Sequence, residues 1–288
     1  MPNVPAREDI ATRTVADFGD QWTRYPDNSG FYGSLDLFRD MFGPLLEPGD
    51  VEGRRVADIG SGTGRIVQML LAAGAAHVTA LEPSDSFPVL EANVQAHGGR
   101  VLCQRRRGHE IDPAGAYDAV FSIGVLHHIP DPGPVVAAAF RALRPGGLLG
   151  VWLYGREGNE LYLALVGPLR ALTTRLPHAV LVAVSWTLTL MLNLYVAACR
   201  VLPLPLRGYM REVIARLPWD KRYLVVYDQL NPAHAKYYTR QEAELLLAGA
   251  GFVGVRSHHR HGYSWAVVGR KPSPVTQKPT TKSPARPR

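Results

Sequence analysis

The sequence predicts an α/β protein whose strands lie mostly parallel and whose ligand binds at their carboxyl ends. Three observations carry that prediction. The stretch Val56-Ala57-Asp58-Ile59-Gly60-Ser61-Gly62-Thr63-Gly64 rises through apolar residues to an acid and then turns through three glycines. A second apolar run, Val78 to Leu81, ends at an acid, Glu82. Two further apolar runs, Tyr117 to Ser122 and Leu148 to Leu153, are separated by a helical pattern. Strand, turn and helix in alternation are the signature of a sheet covered on both faces.

The glycine turn is the first element to justify. Glycines let backbone N–H groups approach a ligand that a Cβ would hold off. The segment after the turn, Arg65 to Ala73, carries Ile66, Met69 and Leu70 at helical spacing and stops at Gly74. The dinucleotide pattern G-x-G-x-x-G is not met, because Arg65 stands where its third glycine would be, and no P-loop lysine follows. An acid two residues before the first glycine repels a pyrophosphate and suits a cationic amine, which S-adenosylmethionine carries. Glu82, at the tip of the second strand, is placed to accept hydrogen bonds from ribose hydroxyls.

Phe87 to Ala96 reads as a helix and Val101 to Gln104 as the third strand. The fourth strand runs into Ile123-Gly124-Val125-Leu126-His127-His128. Asp131 is expected as the N-cap and Pro132 as the first residue of a helix through Leu143. Arg144-Pro145-Gly146-Gly147 then turns into the fifth strand.

In this order and spacing, VADIGSGTG, LEPS, YDAVFSIGVLHHIPDP and LRPGG resemble the class I S-adenosylmethionine-dependent methyltransferases, strongly over about residues 54–153 and more weakly over 237–270. The resemblance implies a Rossmann-like sheet of seven strands with helices on both faces and a closing antiparallel hairpin. It implies S-adenosylmethionine as cofactor, held by Asp58, Gly60, Ser61, Gly62, Gly64, Glu82 and Pro83, with Ser122 and Ile123 at the methionine end. It also places His127, and less directly His128, on the cofactor side of the sheet. There a histidine with a near-neutral pKa suits a proton acceptor for a hydroxyl or amine. The third strand departs from the family. Arg107 stands where an acid usually meets the adenine amine, and arginine cannot accept that hydrogen bond. Adenine reading then falls to backbone near Arg107 and Gly108, or to Glu110. Arg105, Arg106 and Arg107 could instead meet a substrate phosphate or carboxylate, or face solvent.

Outside these motifs the chain divides as follows. Residues 1–44 form an arm and cap, loose over 1–17, with Trp22 and Tyr32 either covering the site or packing on the sheet edge. Residues 45–153 form the cofactor-binding core. Residues 154–236 are a hydrophobic helical insertion after strand five. Residues 237–270 close the core, with Thr239 to Glu242 as a capping box and strands at Val253–His258 and Tyr263–Arg270. Residues 271–288 are a basic tail expected to be disordered.

Within the insertion, 176–199 holds no Asp, Glu, Lys or Arg, while Ser185, Thr189 and Asn193 form one thin polar stripe. A lid, a homodimer interface, a membrane-surface contact and a true span all stay open. By the family's topology the insertion builds the pocket for an acceptor with a large apolar part. Tyr154, Asp228, Tyr238 and His234 are candidates there, His234 also for catalysis. O-methylation is expected, with N- or C-methylation open. No metal is called for.

Bulk properties narrow the partners. Of 32 Lys and Arg, five lie in 271–288 with no acid, which leaves 27 basic against 25 acidic residues elsewhere. A folded part this close to neutral does not call for nucleic acid. Two cysteines and a polar N-terminus without an apolar stretch fit a cytoplasmic chain. Three rival readings are an oxidoreductase, disfavoured by Arg65, a non-catalytic cofactor binder and a membrane-anchored scaffold.

Overall fold

The computed structural model describes residues 7–112, 116–173, 177–231 and 234–273. Seven strands form one sheet in the order β3-β2-β1-β4-β5-β7-β6. They are β1 (Arg55–Ile59), β2 (His77–Leu81), β3 (Val101–Gln104), β4 (Tyr117–Ile123), β5 (Leu143–Tyr154), β6 (Val253–Arg260) and β7 (Ser264–Arg270). β1 to β5 are parallel, while β7 runs antiparallel to β5 and pairs Leu149 with Gly269 and Leu153 with Trp265. This is the predicted seven-stranded sheet with its closing hairpin.

Period-two side chains feed two cores. On one face Val56, Val78, Phe121 and Val268 pack against α2 (Leu35–Phe42), α3 (Arg65–Ala72) and α4 (Phe87–Val94). On the other, Ala57, Val120, Val151 and Val267 pack against α5 (Gly133–Ala142) and α10 (Arg240–Ala248). Strand order reverses direction between β1 and β4, and a crevice at such a switch point is where open α/β sheets bind ligands.

Among the described residues the insertion holds four α-helices, α6 (Glu160–Thr173), α7 (His178–Val201), α8 (Arg207–Glu212) and α9 (Trp219–Leu230), and a 3₁₀ turn at Ile214–Arg216. Thr239 Oγ1 accepts from the Glu242 N–H at 3.2 Å and Glu242 returns the bond to Thr239 N–H at 2.9 Å, so α10 opens on the expected capping box.

Four expectations need correction. The arm expected to be loose over residues 1–17 is helical from Arg7, as α1 (Arg7–Arg24), with Thr14 and Gln21 buried. α5 starts at Gly133 rather than Pro132. Asp131 Oδ1 accepts from the Gly133 N–H at 3.2 Å, which turns the chain one residue before the helix. β5 begins at Leu143, because a register shift opposite Tyr117–Ala119 absorbs the Pro-Gly-Gly segment into the strand. Lys271 belongs to the fold: its Nζ donates to the Leu143 carbonyl at 2.6 Å. The rest of the tail expected to be disordered, 274–288, lies outside the described residues.

Candidate functional site

Gly60, Gly62 and Gly64 all take positive φ, at 76°, 54° and 84°. At Gly60 this is obligatory twice over, since a Cβ there would stand 2.5 Å from Val125 Cγ2. Glu82 braces the turn: its carboxylate accepts from Gly62 N–H at 2.7 Å and Ser84 N–H at 2.9 Å. Two oxygens with four lone-pair directions thus keep acceptor capacity for a ligand.

Beside the turn lies a cavity of about 970 Å³. Gly60, Ser61, Gly62, Glu82, Pro83, Arg107, Gly108 and Ile123 line it as expected, and so do Trp22, Tyr32, Tyr154, Asp228 and His128. Three cofactor candidates stand back from the wall. Gly64 faces Leu90 and Val94, where a Cβ would come within 3.1 Å of both, so it serves helix packing. Ser122 is buried with its hydroxyl toward the Ile59 carbonyl, and Gly124, two residues on, takes the wall position. Asp58 sits one residue behind the wall.

Asp58 tests the cofactor assignment. Its Oδ2 is buried without a hydrogen-bond partner. Burial raises its pKa from 3.8 to about 7, with a bond from Ser61 and the charge of Arg65 working the other way. An unpartnered buried carboxylate behind a glycine turn keeps lone-pair directions free for a donor. The amine of S-adenosylmethionine fits that donor set, and Glu82 fits its ribose.

The loop after β3 carries the residues considered for adenine, and its arginine side chains are engaged within the chain. The Arg107 guanidinium pairs with Glu8 and reaches Thr12 Oγ1 at 3.3 Å, tying the loop after β3 to α1. Arg105 pairs with Asp85 and Arg106 with Asp112, so the three arginines meet acids of the same chain at the surface. Glu110 is committed to the Arg107 N–H at 2.7 Å. Arg107, Gly108 and His109 line the cavity there.

The histidines resolve into different roles. His127 is fully buried and off the cavity wall. Neither ring nitrogen has a partner, the ring stacks on Tyr154 at 3.8 Å, and desolvation holds its pKa well below 6.5. His128 lines the cavity, edge-on to Phe18 at 4.7 Å. Its Nδ1 lies 2.7 Å from the His234 carbonyl. A carbonyl only accepts, so Nδ1 carries the proton and Nε2 presents a lone pair. Burial lowers the pKa of His128 to about 4, while the charge of Asp228 pulls it upward. His234 thus contributes its backbone, not its ring, and is not on the wall.

A polar cluster sits beside His128. Tyr154 donates to Asp228 Oδ2 at 2.8 Å and accepts from Gln229 Nε2 at 2.8 Å. Gln229 Oε1 accepts from Tyr162 at 3.0 Å and Tyr237 at 2.9 Å, and Gln21 donates to Asp228 Oδ1 at 3.1 Å. Sequence reasoning missed Gln21, Tyr162, Gln229 and Tyr237. Tyr238, expected at the acceptor, is instead buried in the core at 2% exposure; its N–H pairs with the Tyr154 carbonyl and Tyr237 lines the cavity. The rest of the wall is apolar, with α7 contributing Leu188 and Leu192 and the α8 segment Met210 and Ile214.

Comparisons agree with this geometry. A family model described as a methyltransferase domain matches residues 57–149. The ubiquinone biosynthesis O-methyltransferase of Cronobacter sakazakii is 29% identical over 169 residues, 57% of this chain and 69% of the relative. Its counterpart from Aromatoleum aromaticum is 33% identical over 118 residues, 40% of this chain and 50% of the relative. The solved 1,6-didemethyltoxoflavin-N1-methyltransferase of Burkholderia thailandensis has the same fold, with a TM-score of 0.54 at 18% identity over 95% of this chain and 93% of that one.

Proposed function

The chain belongs to the class I S-adenosylmethionine-dependent methyltransferase superfamily and methylates a small molecule, and from that premise we propose that it methylates an oxygen of an acceptor with a large apolar part, using His128 as the proton acceptor. One observation carries the reading. A single cavity joins the glycine turn and Glu82 to the apolar inner surface of the insertion, with one polar cluster at the junction. The activity named for the curated relatives, O-methylation in ubiquinone biosynthesis, supports oxygen as the atom.

Bound at the turn, S-adenosylmethionine supplies a methyl group on a cationic sulfur. The chain's part is alignment and proton handling. Tyr154 has its hydroxyl committed as both donor and acceptor, and His127 is sealed away from the cavity. His128 is neutral near pH 7 and its Nε2 faces no competing donor in the hydrogen-bond network, so it takes the acceptor's hydroxyl proton. Asp228 then favours the imidazolium as it forms. Apolar walls and the α1 residues Phe18 and Trp22 exclude water.

The test is incubation with methyl-labelled S-adenosylmethionine and a host-cell lipid extract, followed by organic–aqueous partition, with Glu82→Ala as control. Label in the organic phase that the variant abolishes is the expected result. Label confined to the aqueous phase would refute the apolar acceptor while keeping the enzyme.

A further inference from the structure

We propose that the outward face of α7 is a docking surface for an anionic phospholipid bilayer, along which the helix lies rather than crosses. This goes beyond the acceptor reading and stands on different residues.

Ala179–Val201 has a mean hydropathy of 1.9, yet only 22% of its apolar window is buried. A core helix would show the opposite. The exposed large residues are Val180, Trp186, Leu190, Met191, Leu194 and Val201, at 44%, 53%, 54%, 59%, 66% and 79%. At about 100° per residue they all fall within an arc of roughly 140°, one side of the helix. Surface helices ordinarily turn such a side inward and leave polar residues out.

Here the polar stripe is the inner side. Ser185 and Thr189 are fully buried, Thr189 Oγ1 donates to the Ser185 carbonyl at 2.7 Å, and Asn193 donates to the Thr189 carbonyl at 2.7 Å. Asn193 Oδ1 in turn accepts from Arg222 of α9. The stripe is thus turned inward, with Thr189 and Asn193 partnered there and the Ser185 hydroxyl buried beside them. A crossing helix would have to draw the packed α8 and α9, with Arg211, Glu212, Asp220 and Lys221, into hydrocarbon, where charges are very costly. Lying on the surface needs no such step, and a helix of this length offers a strip of roughly 36 Å to the lipid.

Charge decides between a bilayer and a second copy. Residues 154–236 carry ten Lys and Arg against five Asp and Glu, a net +5, whereas the remainder of residues 1–270 carries 17 against 20, a net −3. The basic excess lies in the segment that bears the apolar face, with Arg200 and Arg211 exposed near the carboxyl end of α7. Two copies meeting here would set like charge against like. An anionic lipid surface is complementary, and polybasic segments beside an apolar helix bind it. Trp186 packs beside Trp219 at 5.3 Å, and indoles favour the headgroup boundary.

The test is co-sedimentation of the full chain with phosphatidylcholine vesicles, with and without phosphatidylglycerol. Wild type is expected to sediment with the anionic vesicles, less with the neutral ones, and less as salt is raised. Leu190→Glu with Leu194→Glu should weaken vesicle binding by at least about tenfold. Arg200→Glu with Arg211→Glu should remove the preference for phosphatidylglycerol. Calorimetric binding of S-adenosylmethionine, unchanged in both variants, shows that they are folded and keeps this result separate from the methyl-transfer reading. Wild type remaining in the supernatant with both vesicle types would overturn the proposal, as would leucine variants that bind like wild type. Analytical ultracentrifugation showing a dimer that the leucine variants split, without vesicle binding, would assign the face to a second copy.

Discussion

Replacing Asp58 by asparagine should move stability and cofactor affinity in ways that only a buried, waiting carboxylate explains. With its pKa raised from 3.8 to about 7, Asp58 binds its proton more tightly folded than unfolded. Its ionised form is therefore the destabilising one, and stability is lost as pH rises from the unfolded value through the folded one. At about 1.4 kcal/mol per tenfold change, ionised Asp58 costs on the order of 4 kcal/mol at pH 8 and under about 2 kcal/mol at pH 5. Wild type without cofactor should thus lose about 3 kcal/mol between those pH values relative to Asp58→Asn. Taking the difference between the proteins matters, because His128, with a pKa lowered to about 4, pulls the other way. Its neutral form is favoured in the fold, so its contribution weakens as pH falls below about 6.5. Urea unfolding of both proteins at pH 5 and pH 8 measures the difference. At pH 8 the variant should also bind S-adenosylmethionine about ten- to a hundredfold more weakly, through loss of a charge-assisted contact. Parallel pH dependence in the two proteins, or unchanged affinity, would refute the assignment of Asp58 as the partner of a cation.

Other predictions follow from the same geometry. His128→Ala should lower kcat by about 10²-fold or more with little change in cofactor Kd, whereas His127→Ala should lower Tm more than kcat; steady-state kinetics and thermal melts together separate the two roles. The kcat profile of wild type should lack a limb near pH 6.5 and fall only toward pH 4, as the His128 lone pair is lost to protonation. Gly60→Ala should lower Tm and abolish measurable cofactor binding, since it combines a φ of 76° with a contact at 2.5 Å; strain of this kind costs roughly 1–3 kcal/mol. Thr239→Ala removes the α10 cap and should cost about 1 kcal/mol in urea unfolding, leaving kcat unchanged.

The sheet was legible because its rules are local. Each parallel strand is an apolar run, and the glycine turn has few alternatives once Asp58 and Glu82 flank it. What resisted reading was direction. Tyr237 and Tyr238 differ by one residue, and in extended chain one residue reverses the face; only the bond between Tyr238 N–H and the Tyr154 carbonyl settles it. His127 and His128 pose the same question in a short 3₁₀ turn, where the His234 carbonyl holds the second ring. The stripe Ser185, Thr189 and Asn193 was visible, but not that it points inward, because its partner Arg222 lies 29 positions on. α1 escaped for a different reason. Ala11, Thr14, Val15 and Phe18 recur at helical spacing but face a ligand cavity, so the stripe is smaller and more polar than one facing a core.

That first helix has a kinetic consequence. α1 lies over both halves of the cavity, with Thr14, Val15, Phe18 and Trp22 on its wall, and it is moored by Arg107 to Glu8 and by the Asp17 carbonyl to Asn231. Both parts of the cavity therefore lie under one helix. Any displacement of α1 would uncover them together, so a turnover that moves this helix would couple release of the two ligands in time although their contacts are separate.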